Sequence, residues 1–333
     1  MNTSGTGVLW RAAVSQTAIG LFALAVAGCA LGSRYLPITN HAVLITAAFS
    51  PYLMLCGQIS VVLLIVARRW VLLAVAVALT ATTLAVQLPQ FLDSKAPRIL
   101  GATLRVMSAN LRLGQADANQ LVTSAREQAD VVALQELTLQ AVDRLSAAGL
   151  DATFPYRWQD PGFDADGVGI WSRFPMHETM HIGGYIMPFL SARLRVPGVS
   201  PDLTVLVAHM PGPWPQPIDG WRQDLDRLPV TLRETAERGD GGCVIVAGDL
   251  NSTTDMRPFR GLLRDGYHDA AEQSGAGQEP TFPADSRFPP LLAIDHVLTR
   301  NCWATSLHTV KIRGSDHRGV VANVVIPKSP ASR

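Results

Sequence analysis

The alternation of apolar and polar positions divides the chain in two. In the first part polarity nearly vanishes. Ala12 to Ser33 is an uncharged run of 22 residues, Ala42 to Ala67 one of 26 and Trp70 to Leu92 one of 23, bounded by Arg11 and Arg34, by Arg68-Arg69 and by Asp93. A helix of about 20 apolar residues crosses a bilayer, so the runs predict three transmembrane helices at about 12–33, 42–67 and 70–92. Beyond Pro97 the pattern becomes a series of short apolar runs. Ala102–Met107, Val131–Leu134, Gly167–Trp171, Ser191–Val196, Leu203–Ala208, Cys243–Ala247, Ile294–Thr299 and Val320–Ile326 read as strands. Ala118–Gln128, Leu137–Ala148, Asp219–Arg238 and Met256–Arg264 read as helices. Strands and helices mix without strict alternation and without an internal repeat, which predicts a layered α/β sandwich and not a doubly wound parallel sheet. The expected organisation is a membrane anchor over 1–98, one folded domain over 99–327 and a short tail over 328–333.

Composition sharpens this division. Hydrophobic residues make up 48% of the chain, yet the part from about residue 99 onward carries 22 of the 28 Lys+Arg and 26 of the 27 Asp+Glu, a net of −4. A protein that grips a nucleic-acid backbone by charge carries a basic face, and the net charge gives that reading no support. Basic residues in short loops mark the cytoplasmic side of a membrane. Arg68-Arg69 therefore predicts a cytoplasmic turn between the second and third helices and an extracytoplasmic polar domain, with Lys95 and Arg98 pulling the other way. Val26-Ala27-Gly28-Cys29 resembles a bacterial lipoprotein cleavage box, but two further apolar runs follow it, and it reads instead as a small-residue patch. Cys29 and Cys56 lie in the apolar runs. Cys243 and Cys302 fall in apparent strands and are expected to be two buried thiols, ahead of a single bridge in an oxidising compartment. No acidic or basic residue lies inside the three runs, which excludes an evident ion path.

The candidate chemistry lies where the apolar runs stop. Asn110 follows LRVMSA, Glu136 follows VVALQ, His209 follows LTVLVA, Asp249 and Asn251 follow CVIVAG, Asp295 follows LLAI, and Asp316-His317 precedes VVANVVI. Each alone is an ordinary turn, cap or strand-end residue. Together they are polar groups delivered repeatedly to the rim of a rigid sheet, which is how a site of defined geometry is built. Glu136 and Asp316, with Asn110, supply hard oxygen ligands suited to Mg²⁺, with Mn²⁺ as a substitute. His209 and His317, with Asp249 and Asp295, suffice for proton transfer and charge stabilisation. The sequence has no Cys/His cluster for structural zinc, no Gly-rich phosphate loop and no G-x-S-x-G elbow.

From Met107 to Ile326 the pieces SANLR, LQELT, GVGIWSRFP, VLVAHMPGP, VIVAGDLNS, IDHVL and GSDHRGVV stand in the order of the endonuclease/exonuclease/phosphatase superfamily, which the chain resembles in a membrane-anchored bacterial form. The resemblance implies a deoxyribonuclease I-like fold, a four-layer α/β/β/α sandwich, and hydrolysis of a phosphoester. It implies Glu136 as the principal Mg²⁺ ligand, with Asn110 and Asp316 completing or supporting the site. Asp249 would orient or deprotonate the attacking water, and Asn251 would hold a phosphate oxygen. His209 and His317 would donate to phosphoryl oxygens, with Asp295 orienting His317; whether Asp249 or His317 is the base stays open. The loops that would carry basic, duplex-gripping insertions in nuclease members are short and proline-rich here. Trp214, Trp221 and Phe282 are left to stack on a base or lipid headgroup, or to pack on the surface. The expected substrate is a small, lipid-linked or nucleic-acid phosphoester, the membrane is reached through the N-terminal helices, and no protein partner is expected. The rival from another class is a membrane-tethered scaffold that keeps the fold without the reaction.

Overall fold

The computed structural model describes residues 3–92 and 101–328. The expected boundary at 98/99, Lys95, Arg98 and most of the tail lie outside them. The chain forms two compact units, a helical one built on residues up to 89 and an α/β one that starts at Gln90.

In the helical unit, Ala13–Ser33 and Trp70–Phe91 are each long and apolar enough to cross a bilayer. The second run differs from expectation. It breaks into His41–Ala48 and Ser50–Val66, bent by 68°, so the described residues hold two such spans, or three if the bent pair counts as one. The cause is local: Pro51 lies in the first turn after the break, where it has no N–H to give the preceding turn. Large apolar side chains point outward, Phe22 at 72% exposure and Val71 at 81%, as they would toward lipid and not toward water.

Among its described residues the α/β unit contains twelve strands: β1 Gly101–Asn110, β2 Val131–Gln135, β3 Tyr156–Asp160, β4 Val168–Ser172, β5 Met176–Ile182, β6 Phe189–Leu194, β7 Leu203–His209, β8 Val244–Asp249, β9 Tyr267–Asp269, β10 Asp295–Arg300, β11 Trp303–Lys311 and β12 Arg318–Pro327. They form two six-stranded sheets, ordered β11-β12-β1-β2-β4-β3 and β5-β6-β7-β8-β10-β9. Within each sheet a parallel pair, β1 with β2 and β7 with β8, sits among antiparallel neighbours. Strand periodicity puts alternate residues on opposite faces. Leu104, Val106, Val131, Ala133, Ile170, Val320 and Val324 of the first sheet meet Leu190, Val205, Val207, Ile245, Ala247 and Val297 of the second in one buried core. The other face of the first sheet, with Met107, Val132, Leu134 and Trp171, packs under helices that contribute Leu121, Val122, Ala125 and Leu145. The long helix Ile218–Arg238 covers the second sheet, burying Trp221, Leu225, Leu228 and Leu232, and its Leu232 carbonyl accepts from the Tyr267 hydroxyl of β9. The result is the four-layer α/β/β/α sandwich.

One expectation is corrected. Cys243 and Cys302 are not two thiols but a disulfide, with Cα atoms 5.3 Å apart. The register explains it: β8 and β10 are antiparallel and pair Val244 with Arg300, so the residue before β8 and the second residue after β10 meet at one corner. The bridge closes a loop over a sequence separation of 59. Cys302→Ser is therefore expected to lower unfolding stability by about 2–4 kcal/mol, mainly by freeing the unfolded chain. Urea titration with and without reductant checks this, and Cys302→Ser should no longer respond to reductant.

Candidate active site

The period-two pattern that fills the core between the sheets also builds its open end. His209, Asp249 and Asp295 keep the inward parity of Val207, Ala247 and Val297 and lie side by side, His209 opposite Asp249 across the parallel pair and Asp295 opposite Asp249 across the antiparallel one. On the facing sheet Asn110 keeps the parity of Leu104 and Val106, and Glu136 is the first residue beyond β2. Gly248, just before Asp249, lets β8 approach β7 closely: a Cβ there would stand 1.8 Å from the Ala208 carbonyl oxygen. Glu136 (φ +55°) and Asn251 (φ +46°) are in the left-handed region that side chains disfavour. Such strain persists where the surroundings fix the residue for a purpose.

Asn110 joins the two sheets. Its amide nitrogen donates to Glu136 Oε1 at 2.9 Å and to Asp249 Oδ2 at 3.1 Å, while its oxygen accepts from the Arg112 amide at 2.8 Å. Glu136 Oε2 accepts from the Leu113 amide at 2.6 Å. Asp249 Oδ1 accepts from the Asn251 amide at 2.9 Å, and the Asn251 side chain donates to the Met210 carbonyl at 2.9 Å. Asp249 Oδ2 lies 3.7 Å from His317 Nε2 and 3.9 Å from His209 Nε2. His317 Nδ1 meets Asp295 Oδ2 at 2.8 Å. His209 Nδ1 meets the Ala165 carbonyl at 3.1 Å, where it must donate, so Nε2 is the atom turned to Glu136, 3.9 Å away, and to Asp249.

Burial and charge set the protonation states. Asp249, His209, His317 and Asp295 are buried. Burial and the nearby Asp295 charge push the Asp249 carboxyl up to about 7. His317 is also desolvated, but the Asp295 and Asp249 carboxylates outweigh this and raise it to about 10, so it is an imidazolium at neutral pH. Burial pushes His209 down and keeps it neutral. The half-buried Asp316 is pushed up by burial, and the Glu136 charge adds to this.

The structure thus brings Asn110, Glu136, His209, Asp249, Asn251, Asp295 and His317 into one bonded cluster and puts Asp316 at its margin, 3.9 Å from the Arg112 guanidinium. Asp249, Asp295 and His317 could themselves hold an ion, their ligand atoms lying within 4.8 Å of one another. In that group His317 Nδ1 is already engaged by Asp295, which leaves Nε2 as its free ring nitrogen. Glu136 and Asp316 fit a hard divalent cation better: they are carboxylates of like charge near enough that one raises the other, a repulsion such an ion would relieve.

Sequence reasoning missed several supporting groups. Ser315 Oγ donates to the Asn110 carbonyl at 2.8 Å and accepts from the His317 amide at 3.0 Å, which ties the turn before β12 to the end of β1 behind the site. Its only signal was its place two residues before His317. Phe282 packs its ring against His317, centroids 4.9 Å apart. Trp214 is exposed, as a loop aromatic, but Trp221 is wholly buried, its indole N–H shared between the Asn251 carbonyl (3.1 Å) and Ser252 Oγ (3.2 Å). It braces Asn251 from behind and is not open to a ligand. Trp221→Phe keeps most of the ring but strands these acceptors, and should cost about 1–2 kcal/mol in thermal unfolding.

A model of the Endonuclease/Exonuclease/phosphatase family matches residues 107–317. The chain belongs to this family. Solved structures agree on the fold. A humanized D. rerio TDP2 carrying 14 mutations is 22% identical, over 67% of this chain and 98% of that one, with a TM-score of 0.56. D. rerio TDP2 complexed with a single-strand DNA product is 20% identical, over 67% and 99%, with a TM-score of 0.54. A family protein from Bacteroides thetaiotaomicron is 14% identical, over 68% and 98%, with a TM-score of 0.53. No curated protein matches the sequence. Members of this family that share the fold at such low identity share the sheet framework, so the case for chemistry rests on the cluster itself.

Proposed function

We propose that the protein is a membrane-anchored, Mg²⁺-dependent phosphoester hydrolase that directs water at phosphorus. The observation that carries this is the unbroken network from Glu136 through Asn110 to Asp249, with His317 and Asp295 beyond it. Family membership and the TDP2 neighbours, one of them bound to a DNA product, support the reaction class. Asp249, poised to ionise near neutral pH, orients the attacking water and takes its proton. The water oxygen bonds to phosphorus, the ester P–O bond opposite it breaks, and the leaving oxygen ends protonated as the alcohol. His317, held cationic by Asp295, donates from Nε2 to a phosphoryl oxygen as charge builds there. Asn251, fixed by the Met210 carbonyl and Trp221, keeps Asp249 aligned and holds a phosphate oxygen. Glu136, with Asp316 and Asn110, would hold Mg²⁺, which when bound neutralises phosphoryl oxygens as a Lewis acid. His209 enters neutral; its anchored Nδ1–H fixes the ring so that Nε2 faces the reacting groups, and it must gain a proton before it can donate to phosphate.

The domains would be anchor and catalytic unit, joined near residue 98. Arg68-Arg69 in the turn before Trp70 and the Cys243–Cys302 disulfide both favour a catalytic unit on the oxidising, extracytoplasmic side.

The test is hydrolysis of bis-p-nitrophenyl phosphate, plasmid DNA, phospholipid and polyprenyl phosphate by the full chain in detergent with Mg²⁺. Turnover of at least one of these, abolished by chelator and by Glu136→Gln, is the expected result. Wild-type turnover that survives both Glu136→Gln and His317→Ala would leave the scaffold reading standing and refute this one.

A further inference from the structure

The loops around the cluster carry a feature that the hydrolytic chemistry does not use. Each of four loops is bonded to the site and carries a large apolar side chain in solvent. The 111–116 loop donates the Leu113 amide to Glu136 and exposes the Leu113 side chain. The 161–167 loop gives the Ala165 carbonyl to His209 and exposes Phe163 at 95%. The 210–217 loop gives the Met210 carbonyl to Asn251 and exposes Trp214 at 60%. The 279–293 loop packs Phe282 at a tilt against His317, donates the Ala284 amide to the Asp316 carbonyl, and exposes Phe288 at 78% and Leu291. Among the described residues of the α/β unit, no other large apolar side chain is as exposed as Phe163, Trp214 or Phe288. Scattered exposed apolar residues are ordinary, and Ile186, Leu139 and Val230 are examples, but the three most exposed, Phe163, Trp214 and Phe288, all lie on loops bonded to the site.

The charge on the rim selects the partner. The four loops hold Arg112 and Arg287 against Asp164, Asp166, Glu279 and Asp285, and Arg112 is already ion-paired to Asp285 at 2.9 Å. A single-stranded nucleic acid needs aromatic platforms beside a basic track, and the basic track is missing from these loops. An apolar, weakly acidic rim suits the interface of a neutral bilayer, where such side chains bury about 5–10 Å deep. A bilayer is also within reach: ten peptide links separate Phe91, the last residue of a span apolar enough to cross it, from Gly101, a covalent reach of about 33 Å.

We infer that Leu113, Phe163, Trp214, Phe288 and Leu291 form a membrane-docking rim that seats the active site on the bilayer surface, and that the substrate is a phosphoester borne by a lipid in that bilayer. This inference rests on the hydrolase reading and adds the source of the substrate to it. The site then takes its substrate at headgroup level without extracting the lipid.

The test uses the full chain in phosphatidylcholine vesicles and compares it with the combined variant Phe163→Ser, Trp214→Ser and Phe288→Ser. Turnover is read on phosphatidylglycerol and polyprenyl phosphate in the vesicle, on soluble bis-p-nitrophenyl phosphate and on a single-stranded oligonucleotide. The variant should lose about tenfold or more on the vesicle-borne substrate, as expected when aromatic anchors no longer bury, and stay within about twofold on the soluble ester. Separately, brominated phosphatidylcholine should quench the part of the tryptophan emission that Trp214→Phe removes. Equal loss on all substrates, a loss confined to the oligonucleotide, or soluble turnover with neither lipid hydrolysed would each overturn the inference. If the wild type hydrolyses nothing, the hydrolase reading fails and the substrate assignment falls with it. The quenching still decides whether the rim docks.

Discussion

Replacing Asp249 by Asn is expected to lower kcat by about 10²–10⁴-fold, the usual worth of a positioned general base, with a much smaller effect on KM. The reason is geometric. Asp249 accepts from Asn110 and Asn251 and faces both imidazoles, so the carboxylate is aimed before substrate arrives. The pH profile provides the stricter check. The Asp249 carboxyl is raised to about 7, so it is protonated and inactive below that pH, and kcat/KM should fall about tenfold per pH unit on the acid side. His317 is raised to about 10, so a basic limb should appear there as it loses its proton. Asp249→Asn should erase the acid limb from whatever activity remains. An acid limb that survives in this variant would assign the base elsewhere.

The second large effect concerns the buried pair of His317 and Asp295. Because the folded-state value of His317 lies above the ordinary histidine value of about 6.5, its contribution to stability is complete below that pH and is lost as pH rises through about 10. His317→Ala leaves the Asp295 carboxylate buried without its partner, which should cost about 3–5 kcal/mol at neutral pH as well as activity. Urea midpoints of the variant and the wild type at neutral pH check this. Asp295→Asn removes the largest charge raising His317, so its value falls toward the ordinary one and the basic limb of the rate profile should move down by pH units, not tenths. A basic limb left near pH 10 in that variant would show that Asp295 does not govern the imidazolium.

How far the sequence reached depended on position in the sheets. β1, β2, β4, β6, β7, β8, β10 and β12 occupy inner positions, buried on both faces, and their apolar runs were legible. The unforeseen strands β3, β5, β9 and β11 are the four sheet edges. An edge strand such as MHETMHI is largely exposed, and its residues need satisfy only one neighbour, so period two fades. The site residues were legible for the opposite reason: a lone Asn, His or Asp ends a run whose inward parity is set by the core. Ser315 and the backbone donors at Arg112 and Leu113 gave no such signal, since a hydroxyl or amide gains its role only from what folds against it. The disulfide was ranked below two buried thiols because it depends on the register of β8 against β10, which no local pattern encodes. Trp221 was grouped with the loop aromatics although it lies inside the helix expected at Asp219–Arg238; its indole turns inward to Asn251 and Ser252, a contact that no local pattern encodes.

The order in which the strands are made has a consequence for the living cell. β12 lies inside its sheet, between β11 and β1, and His317 directly precedes it, while Asn110 ends β1, its partner from the start of the domain. A ribosome that has delivered Asn110, Glu136, His209, Asp249 and Asp295 has therefore still not supplied the whole of the proposed site. The proposed site is complete only when the last strand closes the gap beside the first.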